Sequence, residues 1–160
     1  MEMHETKNDI AKETREKVIE ILNQSLADAI DLKTQAKQAH WNVKGPSFIA
    51  LHELFDQVAA EMDTHVDELA ERVTALGGVA LGTVRVAAER SSLAEYPHEI
   101  SDGAAHVDAL SSAMADFGKK VRKNIDDTDE LGDKDTADIY TGVSKSVDKL
   151  LWFVEAHNQA

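Results

Sequence analysis

Cysteine is missing from this chain, which removes disulfides, thiolate metal sites and cysteine nucleophiles together. Proline occurs twice and glycine eight times in 160 residues. Little therefore interrupts a helix, and the abundant Ala, Leu, Glu and Lys favour one. No apolar run approaches the roughly eighteen residues of a membrane span. The N-terminus, Met1 to Lys17, is densely charged and lacks the apolar stretch of a signal peptide, so the expectation is a cytoplasmic protein. Basic residues are also few: 17 Lys and Arg against 30 Asp and Glu leave a net charge of −13. That balance repels phosphate backbones and anionic membranes and attracts cations. What remains, 42% hydrophobic and 29% charged residues, suits one soluble globular domain with a full core.

Residues 1–10 read as a polar tail and 11–160 as a single domain. Val18, Ile21, Leu22, Ser25, Leu26, Ala29, Leu32, Ala36 and Ala39 recur at three-four spacing, predicting a long helix that ends near His40 and Trp41. Gly45 and Pro46 break it, with Ser47 as the predicted N-cap of a second helix running from Phe48 to Leu76. Gly77 and Gly78 stop that helix. A long connection follows to about Ser101, and Ser92 to Tyr96 are expected to form a short helical turn within it. A third helix carries Val107, Leu110, Met114, Phe117, Val121 and Ile125. The acidic stretch 126–133 is expected to be a loop, and a fourth helix carries Thr136 to Val154. The fold class is all-α. Four long helices with one long crossover describe a ferritin-like four-helix bundle with a short helix in the crossover between helices two and three.

The second helix carries two pairs of donor side chains spaced i,i+4: His52 with Asp56, and Asp67 with Glu71. At about 100° per residue all four fall on one stripe, separate from the apolar face of Leu51, Phe55, Val58, Met62, Val66, Leu69, Val73 and Leu76. Asp56 and Asp67 are nevertheless roughly 16 Å apart along the axis. Ligands sit about 2 Å from a bound ion, so the two pairs cannot share one metal within a straight helix. Both pairs are symmetric about the same point, between Glu61 and Met62. Two antiparallel copies would set His52 opposite Glu71 and Asp56 opposite Asp67, building two mixed sites between subunits. Asp63 lies in the same stripe with no assigned part. His40 closes the first helix, where it can fold back over His52. The donors are nitrogen and oxygen only, a set suited to iron, zinc or manganese. The buried Glu-x-x-His motifs of an intra-bundle di-iron site are missing. His65 reads as structural, and His4, His98, His106 and His157 as isolated. Asp135 and Asp138 read either as a solvated helix start or as a cation entrance.

Taken together these residues are specific. The stretch Ala39-His40-Trp41-Asn42-Val43-Lys44-Gly45-Pro46, with Phe48, His52, Asp56, Asp67-Glu68-Leu69-Ala70-Glu71-Arg72, Tyr96-Pro97, Asp135-Thr136-Ala137-Asp138 and Asp148 to Phe153, resembles the Dps mini-ferritins (DNA-protection-during-starvation proteins). The resemblance spans essentially the whole chain after the tail. It implies a hollow twelve-subunit shell with ferroxidase centres at two-fold interfaces. It implies iron as the metal, with Zn²⁺ as a competitor, and hydrogen peroxide as the preferred oxidant. By the same resemblance His40, His52 and Asp56 are ligands from one subunit, and Asp67 and Glu71 come from its mate. Trp41 is the aromatic neighbour that intercepts oxidising equivalents, and Asp135 and Asp138 line the iron-admitting pore. Two rivals are a nucleoid DNA-binding protein and an assembly protein that uses the second helix only as a dimer face. Lys7 and Lys12 in the tail are offset by Glu2, Glu5, Asp9 and Glu13, which counts against direct DNA binding.

Overall fold

The three-four repeats fold as four long helices and one short one in the computed structural model, which describes residues 3–159. These are α1 (Lys12–Asn42), α2 (Phe48–Ala75), α3 (Val84–Arg90), α4 (Gly103–Glu130) and α5 (Lys134–Glu155). Helix α1 packs on α2 and α4 on α5; α1 then meets α4, and α2 meets α5. Apolar side chains of all four fill the space between, including Leu22, Leu32, Phe55, Met62, Leu110, Phe117, Tyr140 and Val147. On α2 alone Leu51, Phe55, Val58, Met62, Leu69 and Val73 are buried, each worth roughly 1.5–3 kcal/mol. The apolar stripe predicted for α2 is the buried one, with Val66 half-exposed at its margin. No helix among the described residues is long and apolar enough to cross a membrane.

Two turns hold the site's framework. Lys44 N–H donates to Ser101 O at 2.8 Å, tying the α1–α2 turn to the start of α4. At the other end of α2, Gly77 adopts φ +89° and Gly78 N–H returns to Val73 O. The described part of the tail is attached there too. His4 N–H donates to Gly77 O at 2.8 Å, and Met3 and Ile10 pack against the core.

Three local expectations need correction. The crossover helix is Val84–Arg90, not Ser92–Tyr96. The 91–94 segment is drawn instead onto α1: Ser92 N–H and Oγ bond to the Asp28 carboxylate, Ser91 Oγ to Asp31, and Ala94 O accepts from Gln35. Its polar groups are satisfied there without a helix. The acidic stretch after Ile125 is not a loop either, because α4 continues to Glu130. Buried Thr128 donates to Asn124 O, and Lys123 and Lys134 neutralise Asp127 and Asp129. Ser47 stands at the N-cap position of α2, but its side chain caps nothing.

Candidate metal centre

The α1–α2 turn returns His40 onto His52, rings stacked with centroids 3.7 Å apart and planes 20° apart. Each imidazole bonds the other residue's backbone: His40 Nδ1 to His52 O at 2.6 Å, and His52 Nδ1 to His40 O at 2.8 Å. A carbonyl only accepts, so both Nδ1 atoms carry the hydrogen. In each neutral ring Nε2 is therefore left with its lone pair, the form in which histidine binds metal. Phe48 packs beside His52 at 5.1 Å. Around the pair the surface is apolar yet open: Trp41 is 65% exposed, Ile49 61% and Phe48 41%.

Asp56, one turn after His52, faces α1. Lys37 Nζ donates to Asp56 Oδ1 at 2.6 Å and also lies over the Trp41 ring. The Lys37 hydrogen bond holds the Asp56 carboxyl below the usual carboxylate range, partly opposed by desolvation and aided by the Lys37 charge. Asp56 thus stays ionised, and a cation must displace an ammonium to reach it. Asp63 is occupied in the same way by Lys33. Both lysines escape a reading confined to α2. The hairpin that brings His40 onto His52 also brings Lys37 onto Asp56, so the signal was present in the spacing.

Asp67 and Glu71 are exposed on the distal half of α2 and border a shallow cavity of about 440 Å³ with Thr64, Arg72 and Ile139. Neither carboxylate has a hydrogen-bond or ion-pair partner among the described residues. Their position is fixed from behind. Arg72 spans to α5, donating from Nη2 to the buried Asp133 at 2.8 Å and from Nε to Thr136 Oγ1 at 2.9 Å. Asp133 also caps α5, accepting from Thr136 N–H at 3.0 Å. Asp135 and Asp138 stand exposed on the first turns of α5, without ion pairs among the described residues. Among the described residues of one chain, no three His, Asp or Glu side chains come close enough together to hold a metal ion. His40, His52 and Asp56 at one end of α2 and Asp67 and Glu71 at the other are two separate groups on one chain.

Comparison with known proteins identifies the family and the fold. A family model described as a Ferritin-like domain matches residues 19–160. The DNA protection during starvation protein of Agrobacterium fabrum is 49% identical over 159 residues, covering 99% of this chain and 98% of that protein. The chain belongs to the Dps mini-ferritins. DNA protection during starvation protein 2 of Bacillus anthracis is 34% identical, covering 87% of this chain and 94% of that protein. Among solved structures, DpsC from Streptomyces coelicolor matches with a TM-score of 0.94 at 30% identity, covering 99% of this chain and 92% of that one. A Dps from Mycobacterium smegmatis matches with a TM-score of 0.93 at 29% identity, covering 98% and 95%. The ferritin-like all-α fold expected of the sequence is the fold of these Dps proteins.

Proposed function

We propose that this Dps protein is an iron-storing ferroxidase that oxidises Fe²⁺ with hydrogen peroxide at centres shared between two subunits. The observation that carries this reading is the reciprocal His40–His52 arrangement, which leaves two Nε2 lone pairs one helical turn from Asp56 on an open surface. Asp67 and Glu71 of a two-fold mate complete the donor set, and imidazole with carboxylate suits Fe²⁺. Zn²⁺ suits the same donors and competes. The chain's excess of negative charge concentrates Fe²⁺ at its surface, with Asp135 and Asp138 lining the way in.

In the reaction two ferrous ions each give one electron to the O–O bond of hydrogen peroxide. With two waters they become two ferric oxyhydroxide units and release four protons. The protein supplies ligands and proximity, and Trp41, next to His40, is placed to intercept stray oxidising equivalents. Ferric product mineralises inside a hollow twelve-subunit shell. Removing Fe²⁺ and peroxide together denies DNA the hydroxyl radical they would generate, a protection that needs no DNA contact. The test is His52→Ala with Asp56→Ala. The double variant should assemble normally, by light scattering, yet lose rapid peroxide-dependent Fe²⁺ oxidation by about 100-fold or more, since even outer partners of metal ligands are worth 10–100-fold. Wild-type oxidation rates in that variant would defeat the assignment.

A further inference from the structure

The chain has two tyrosines, Tyr96 and Tyr140, and both are buried. Their partners differ in kind. Tyr140 Oη donates to Ser25 Oγ at 2.8 Å, a hydroxyl that also receives the Asn124 amide at 2.9 Å. Tyr96 Oη lies 2.7 Å from Nδ1 of His106, an imidazole with no exposed surface. The two rings are nearly parallel, 19° apart, with centroids 6.0 Å apart. Burial pushes His106 down, against the Asp102 charge and the Ile100 carbonyl, and pushes the Tyr96 phenol up. Among the described residues the phenol has no acceptor other than Nδ1, so Oη donates to it and the imidazole carries its own proton on Nε2. On the far side His106 Nε2 is buried without a hydrogen bond among the described residues.

The pair's location gives it something to act on. Tyr96 lines a cavity of about 790 Å³ with Trp41, Lys37 and Gln38. His106 packs against Phe55 at 6.5 Å, and Phe55 directly precedes Asp56 on α2. The phenol and its base thus lie behind the helix segment that carries a proposed iron ligand.

We propose that Tyr96 and His106 form a redox pair that lends one electron to the iron centre and then recovers it, an inference resting on the ferroxidase reading above. When a lone ferrous ion meets hydrogen peroxide, it gives one electron and the O–O bond breaks to hydroxide and a hydroxyl-radical equivalent. An electron from the Tyr96 phenol reduces that equivalent to a second hydroxide. The Oη proton crosses the 2.7 Å hydrogen bond to His106 Nδ1, leaving a neutral tyrosyl radical and an imidazolium. A second ferrous ion returns the electron, and His106 returns the proton. In sum, two ferrous ions and one peroxide give two ferric ions and two hydroxides, and no radical escapes. Tyr140 cannot do this, because a serine hydroxyl has no basicity with which to keep the proton.

The experiment uses the assembled full-length protein, loaded without oxygen with less than one Fe²⁺ per centre, mixed with hydrogen peroxide and freeze-quenched for electron paramagnetic resonance. The expected signal is a tyrosyl radical whose splitting collapses when ring-deuterated tyrosine is incorporated. It should be absent from Tyr96→Phe, present in Tyr140→Phe, and accompanied by Fe²⁺ oxidation in all three proteins. A parallel arm flashes the metal-free protein with a ruthenium photo-oxidant, so the pair is judged without iron. There a tyrosyl radical should again form in wild type and in Tyr140→Phe but not in Tyr96→Phe. Absence of iron oxidation by wild type would sink the ferroxidase reading and leave the flash arm to decide the pair. A tyrosyl signal surviving in Tyr96→Phe, vanishing in Tyr140→Phe, or missing while wild type oxidises iron would overturn the proposal.

Discussion

At the proximal end of α2, His52 is locked ring to ring against His40 by two hydrogen bonds, and Asp56 is occupied by Lys37. At the distal end, Asp67 and Glu71 have no ion-pair partner among the described residues, and only the helix beneath them is anchored, through Arg72 and Asp133. The contrast is the one that the proposed ligand roles call for. An imidazole binds through one of two nitrogens, so a useful one must have its tautomer chosen beforehand by bonding the other. A carboxylate offers equivalent oxygens and needs no such choice, only a fixed place to stand. One end of α2 orients its side chains, and the other orients its backbone.

Mixing subunits would break the comparison most severely. Asp67→Ala with Glu71→Ala, and His52→Ala with Asp56→Ala, should each be essentially inactive alone. Co-assembled in equal amounts they should regain about a quarter of the wild-type oxidation rate. Half of randomly paired two-fold dimers are mixed, and each mixed dimer rebuilds one of its two centres. No recovery would mean that the two ends of α2 do not meet across subunits.

Next in size is the distal anchor. Arg72→Ala leaves Asp133, 1% exposed, without its cation. The expected loss is about 3 kcal/mol in urea unfolding, since removing one member of a buried pair strands the other charge. An unchanged midpoint would show that Arg72 anchors nothing.

Between the ends sits His65, buried with neither ring nitrogen hydrogen-bonded among the described residues and only long contacts, 3.8 and 3.9 Å, to Glu61 and Glu68. Desolvation pushes it down from its ordinary value, opposed by Glu61 and Glu68. The folded state thus binds fewer protons than the unfolded one as pH falls through about 6.5, the ordinary histidine value. The stability it contributes is full above that pH and is lost below it. His65→Leu should gain about 1 kcal/mol at neutral pH by deleting the orphaned polar atoms. It should also make the fall in Tm between pH 7.5 and 5 shallower, while a parallel fall would clear His65 of the acid sensitivity.

The smallest effect belongs to Lys37. Lys37→Met frees Asp56 of its ammonium and should tighten anaerobic Fe²⁺ binding about two- to five-fold by calorimetry, the scale of one exposed ion pair. Weaker binding instead would make Lys37 an organiser of the site and not a competitor.

Much of this is legible in the sequence. The buried stripe of α2, the stop at Gly77 and the return of His40 over His52 follow from helical periodicity and a short turn, which are local constraints. The crossover helix and the end of α4 are not. Residues 91–94 give up helical bonds to carboxylates on Asp28 and Asp31, about sixty residues earlier. Thr128 continues α4 because its neighbours bury it. His106 looks isolated in the sequence, since nothing in its own segment announces a partner ten residues upstream on an irregular connection.

The amino-acid sequence by itself determined that this chain is helical, that His52, Asp56, Asp67 and Glu71 share one stripe, and that eleven residues of helix keep the two pairs apart. Tertiary structure alone decided which nitrogen of each histidine is free, which aspartates carry lysines, and that one buried tyrosine meets a base while the other meets a hydroxyl. Spacing along a helix fixes direction and distance through backbone geometry. Tautomers, ion pairs and burial depend on groups from other helices, and these come together only when the bundle closes.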